Sequence, residues 1–174
     1  MWVPAPQPAP VADPPEPASH TLGHPSDIGP VASDDTRWHH RAMTRYAIDA
    51  PTALRLIEED AVLGPGHSLV APSVLRTHAL SLLYQQVRAG ALEERVALAR
   101  LERLAELKIR LLGDRVSRAT AWKLALRLGW PDTPPAEYLA VAMLQADLLV
   151  TDDPHLRSGA EDHVALAPYE ALLR

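Results

Sequence analysis

Cysteine is absent from this chain of 174 residues, which excludes disulfides, thiolate zinc sites and cysteine nucleophiles together. The absence fits a reducing cytoplasm. No apolar run approaches the ~18 residues of a membrane span, and the N-terminus lacks the basic start and apolar core of a secretory signal. A soluble, cytoplasmic protein with no membrane partner is expected. An excess of basic charge is also missing. The formal net charge of -5 is not the positive field of a strong nonspecific nucleic-acid binder. It leaves a nucleic-acid substrate open, because metal-dependent nucleases concentrate acid at their active sites. There is no Gly-rich phosphate loop and no Ser-His-Asp order, and the first strand is not followed by the glycines of a dinucleotide fold.

What is present divides the chain in two. Residues 1–42 hold about half of the 17 prolines, with scattered Ser, Asp and His and no apolar periodicity. Such a segment buries too little apolar surface to offset the entropy of ordering it, so it is expected to be disordered. Pro4, Pro6, Pro8 and Pro10 favour an extended helix of the kind read by proline-binding modules. His39 and His40 beside Trp38 have no partner ligands at helical or hairpin spacing. Met43 stands immediately before the first strand and is an alternative start, which would make the preceding residues a mis-assigned extension.

From Met43 onward strands and helices alternate, over one domain spanning 43–174. Tyr46–Asp49 reads as a strand, followed by a helix from Thr52 to about Asp60. Gly64-Pro65-Gly66 breaks the chain, and Ser68–Ala71 is extended. Ser73 is placed to cap a helix whose stripe Leu75, Ala79, Leu82 and Leu83 runs to Arg88 and closes at Gly90. A helix over Leu92–Leu107 is expected to turn Leu101, Leu104 and Ala105 inward. Ile109–Leu112 reads as a strand. Asp114 caps a helix to Leu128, stopped by Gly129, and Pro134 and Pro135 open a buried helix through Ala146. Leu148–Val150 is the last main strand. Val164–Leu166 reads as an edge strand, and a short helix follows from Pro168. Strands separated by helices predict an α/β fold of three layers, a mostly parallel sheet covered on both faces.

Two of these strands end in acid: Tyr46-Ala47-Ile48-Asp49 and Leu148-Leu149-Val150-Thr151-Asp152-Asp153. Open α/β sheets place ligands beyond the carboxyl ends of their strands. Carboxylates that converge there hold a divalent metal, which suits phosphodiester chemistry.

These residues carry a resemblance. Tyr46-Ala47-Ile48-Asp49-Ala50, Leu69-Val70-Ala71-Pro72-Ser73, and Tyr138-Leu139-Ala140-Val141-Ala142 running through to Asp153 resemble, in order and spacing, the PIN-domain family. Bacterial VapC-like toxins are the most similar members. The match extends over essentially all of residues 43–174. The resemblance implies four acids around Mg2+ or Mn2+ that hydrolyse RNA, often in a homodimer paired with an antitoxin protein. Asp49 matches the first acid and Asp153 the last, with Asp152 beside it and Thr151 in the adjoining polar position. The family's helical Glu falls on His78, and the Asp opening its late helix falls on Pro135.

The remaining candidates keep more than one reading. His78 shares a helical face with Leu75 and Leu82. It is a hydrogen-bonded pocket histidine, a ligand better suited to manganese or zinc than to magnesium, or a general acid or base. Glu137 and Asp132 flank Pro135. Either replaces the missing acid, or Glu137 serves the start of its helix and Asp132 a turn. Asp152 is an accessory metal-site acid or a loop residue. Asp49-x-x-Thr52 is superficially similar to phosphatases with an aspartate nucleophile, but Pro51 replaces their second Asp. The basic residues of the middle third are either solvated helix faces or a phosphate-contacting surface, with Arg76, Arg115 and Arg118 as candidate RNA contacts. The function expected is a metal-dependent, VapC-like ribonuclease with catalytic Asp49 and Asp153. The alternative is a degenerate PIN domain that binds protein or RNA without cutting.

Overall fold

The structure is a computed structural model and describes residues 43–174, so the expected disorder of 1–42 and the proline motif lie outside the described residues. The first strand, β1 (Thr44–Ile48), is flanked by β2 (His67–Pro72) and β4 (Leu148–Val150), and β3 (Ile109–Leu112) lies outside β2. Every pairing is parallel, giving the order β3-β2-β1-β4. Tyr46 sits opposite both Leu69 and Leu148 in register. Strands covered on both faces read as continuous apolar runs, and Ile48, Ala71 and Leu149 are fully buried.

The helices are α1 (Ala50–Glu58), α2 (Val74–Arg88), α3 (Glu94–Glu106), α4 (Arg115–Leu128), α5 (Pro134–Gln145) and α6 (Pro154–Ala160). α5 lies across β1 and β2 and carries α4, while α1, α2 and α3 pack on one another. This is the three-layer α/β arrangement expected. Among the described residues no helix is long and apolar enough to cross a membrane.

Capping chemistry sets most helix ends. Asp114 accepts from the Ser117 N–H at 2.7 Å and its hydroxyl at 2.8 Å, which satisfies donors at the start of α4 that have no partner within the helix. Those two bonds hold its carboxyl below the usual carboxylate range. Gly129 ends α4 at φ 65°, a left-handed conformation that glycine adopts without a Cβ clash.

Several expectations are corrected. β1 stops at Ile48, because Asp49 is the N-cap of α1. Ser73 precedes α2 without a side-chain cap. Ala105 is exposed, and Ala97 is the residue buried with Leu104. The last turn of α5 leaves Met143 and Leu144 partly exposed. Val164–Leu166 makes only one parallel bridge, Leu166 to Leu149. The terminal helix is a 3-10 turn over Tyr169–Leu173. α6 was not anticipated, although Asp153-Pro154 is a cap followed by a proline at the first helical position, an ordinary start signal.

Candidate functional site

In chain order the sheet grows outward from β1 through β2 to β3, then crosses back to set β4 on the other side of β1. The direction of growth therefore reverses between β1 and β4, and a crevice opens beyond the carboxyl ends of such strands. Asp49 follows β1 and Asp153 follows β4. Both line one cleft of about 460 Å³, together with Pro51, His78, Asp132, Pro134, Pro135 and Tyr138.

Asp49 is only 2% exposed. Its Oδ1 accepts from the Thr52 N–H at 2.9 Å, and its Oδ2 accepts from the Thr151 hydroxyl. Thr151 also accepts from the Asp153 N–H, at 3.1 Å. One buried hydroxyl thus ties the two acidic segments together. The Asp153 Oδ1 accepts from the N–H groups of His155 (2.8 Å) and Leu156 (3.0 Å), and its Oδ2 makes no hydrogen bond among the described residues. Each carboxylate caps a helix and accepts from its first N–H groups.

His78 and Tyr138 line the same cleft. The His78 Nδ1 lies 3.1 Å from the Tyr138 hydroxyl, and the two rings are tilted with centroids 5.9 Å apart. Tyr138 is 3% exposed. Burial, then the nearby Asp49 charge, raises its phenol far above the ordinary value, and the Ala50 N–H directed at its oxygen opposes the rise. The phenol therefore stays protonated and serves as a neutral donor.

Of the residues singled out from sequence, the fold gathers Asp49, Asp153, Thr151 and His78. Asp132 joins them on the cleft wall, its carboxylate accepting from the Thr133 N–H at 2.6 Å. Two accessory candidates lie elsewhere. Asp152 is solvent-facing and points toward Arg55, 3.9 Å away, because the backbone step to Asp153 turns successive side chains apart. Glu137 lines separate hollows with Arg118, since adjacent helical residues diverge by about 100° and Tyr138 takes the cleft-facing direction. Desolvation raises the Glu137 carboxyl, with Arg118 opposing the shift. Arg76, Arg115 and Arg118 are exposed and none lines the cleft.

Tyr138 is the site residue that sequence reasoning missed. A tyrosine within an otherwise apolar buried helix needs a partner for its hydroxyl, which was the available signal.

A divalent cation fits the donor set in part. Magnesium accepts one or two carboxylates and keeps several waters, and Asp153 offers an uncommitted oxygen beside the Asp49 carboxylate. Among the described residues there is no group of three or more His, Cys, Asp or Glu placed to hold a metal.

No family model matches the chain, and no curated protein does. Among solved structures, the crystal structure of PAE2754 from Pyrobaculum aerophilum is similar at a TM-score of 0.57 and 19% identity. The match covers 75% of this chain and 93% of that one, a likeness of fold.

Proposed function

We propose that residues 43–174 are a PIN-type, VapC-like endoribonuclease that hydrolyses RNA phosphodiesters with Mg2+ or Mn2+, as the toxin of a toxin–antitoxin pair. The observation carrying this reading is the convergence of Asp49 and Asp153 in one cleft at the sheet's reversal point. Asp153 would hold the ion through its uncommitted oxygen, and Asp49 through the lone pairs left by Thr52 and Thr151. When bound, such an ion supplies positive charge to a phosphoryl oxygen and makes a bound water more acidic. The chain itself supplies positioning. Thr151 fixes the spacing of the two acidic segments by bonding to both. His78 and Tyr138 offer hydrogen-bonding groups within the cleft.

The test is RNA cleavage by the purified chain in manganese and then magnesium, beside Asp49→Asn. Cleavage lost both with EDTA and in the variant is the expected result. Absence of cleavage by folded protein in either metal removes the proposal.

One observation favours a second reading, a binding module that holds RNA or a peptide without cutting. The family's other two acids fall on His78 and Pro135, and no cluster of three potential metal ligands exists among the described residues. His78→Glu combined with Pro135→Asp separates the two. Strong metal-dependent cleavage gained from an inert parent identifies an intact scaffold with a lapsed site.

A further inference from the structure

Beside the main cleft lies a smaller hollow of about 220 Å³, lined by Arg118, Ala121, Trp122, Thr133 and Glu137. Its outer wall is Trp122, 63% exposed. A tryptophan normally buries most of its large surface, so an indole left open beside a hollow calls for an occupant. Arg118 stands four residues before it on the same face of α4. The helix also carries Arg115, Lys123 and Arg127, and no acid within its length. That local charge contrasts with the chain's net -5. Glu137 is the one acid in the hollow, and Arg118 offsets its charge.

The hollow neighbours the main cleft. Thr133 lines the hollow, and its two chain neighbours, Asp132 and Pro134, line the cleft. Only the turn that opens α5 stands between them. A strand with a phosphate at Asp49 and Asp153 can therefore set an adjoining nucleotide over that turn.

We propose that the hollow is a nucleobase subsite, in which one unpaired base of an RNA strand stacks on Trp122 while Arg118 meets the adjoining phosphate. The proposal rests on the ribonuclease reading and adds a stacking position for one base beside the cleft. Aromatic stacking accepts any base face, and cations along the same helix track the backbone. A second copy of this chain suits the surface less well. Symmetric pairing through the Trp122 face of α4 would bring Arg115 and Arg118 near their own equivalents, and like charges across an interface are repelled.

The test is fluorescence anisotropy of a short labelled single-stranded RNA with the full chain, in EDTA so that nothing is cut. Trp122→Ala is expected to weaken binding roughly five- to hundredfold. Trp122→Phe, which keeps a stacking face, should bind within about threefold of the parent. A duplex of the same sequence should compete poorly, because its bases are already stacked and paired. The side chain is largely in solvent, so both variants should fold. If the parent binds RNA and Trp122→Ala binds equally well, the subsite is wrong and the ribonuclease reading stands. If Trp122→Ala changes only the sedimentation coefficient, the face belongs to a second copy and the subsite is overturned. If the parent binds no RNA in EDTA, the subsite falls, and the ribonuclease reading is decided by the cleavage assay in manganese and magnesium.

Discussion

Nδ1 of His78 and the hydroxyl of Tyr138 stand 3.1 Å apart across the cleft, and the phenol is the partner that keeps its proton. Its oxygen faces the Ala50 N–H, a group at the helix start with no partner within the helix. With one lone pair engaged there, the phenolic proton is expected to be directed to Nδ1, which would leave the histidine proton on Nε2. His78 in that tautomer donates a hydrogen bond and has no Nε2 lone pair for a metal.

Nitrogen-15 spectra of the labelled chain test this tautomer. His78 should show an unprotonated Nδ1 and a protonated Nε2, with its signals assigned by their loss in His78→Gln. Tyr138→Phe should shift the equilibrium toward a mixture. A protonated Nδ1 in the parent at a pH where the ring is neutral would reverse the assignment.

Asp49 has a structural and a charged role, and two substitutions separate them. Asn keeps a capping oxygen for Thr52 but turns an NH2 toward the Thr151 hydroxyl, so in the absence of metal Asp49→Asn should lose part of the stability that Asp49→Ala loses. Asp49→Ala removes the cap and leaves the buried Thr151 hydroxyl without its acceptor, a loss of about 1–3 kcal/mol. Manganese should raise the melting temperature of the parent, since a ligand for the folded state stabilises it by mass action. It should leave Asp49→Asn unmoved. An equal rise in both proteins would place the ion elsewhere.

Gly159 ties α6 to the fold through Trp130. A Cβ on Gly159 would run into the indole, whose other contact is the His155 ring, with centroids 4.6 Å apart. Gly159→Ala should therefore destabilise the domain by about 1–3 kcal/mol, read from urea midpoints. Because Asp153 caps the same helix, manganese stabilisation should shrink as well. Unchanged midpoints would show that Trp130 has room to move.

Glu137 yields a pH signature. Desolvation raises its folded-state carboxyl above the unfolded value, so the folded state binds the proton more tightly. That contribution is complete below the unfolded pKa of about 4.3 and is lost as pH rises through the folded value. Gln cannot titrate. The stability of the parent relative to Glu137→Gln should therefore fall from about pH 4 upward and level off once the folded carboxyl has ionised. A flat difference across that range would mean that the side chain is fully hydrated.

Asp49 and Asp153 were legible in the sequence because each ends an apolar run, and strand order in a parallel sheet does the rest. Helix limits at Gly90, Asp114 and Gly129 followed from local backbone chemistry. The phase of each helix was harder. Glu137 and Tyr138 are neighbours in sequence, yet the cleft takes the one that falls three residues after Pro135. Ala105 failed for the same reason, since a small apolar residue at the rim of a stripe carries no signal of which way it turns. The pairing of His78 with Tyr138 joins positions 60 apart, and no local pattern encodes it. Asp153-Pro154 was legible as a helix start, but its acid drew attention to chemistry before architecture.

The pairing of β1 with β4 also sets when the site comes into being. Thr151 and Asp49, which lock the two acidic segments together, are 102 positions apart. Contacts of such separation form only after the intervening chain has ordered, because loop closure must be met before they are gained. A chain emerging from the ribosome would complete its first three strands with Asp49 alone in place. The cleft then closes on its second carboxylate only when β4 docks beside β1. A nuclease built on this order would be inert toward the RNA of the machine making it until β4 has emerged and docked.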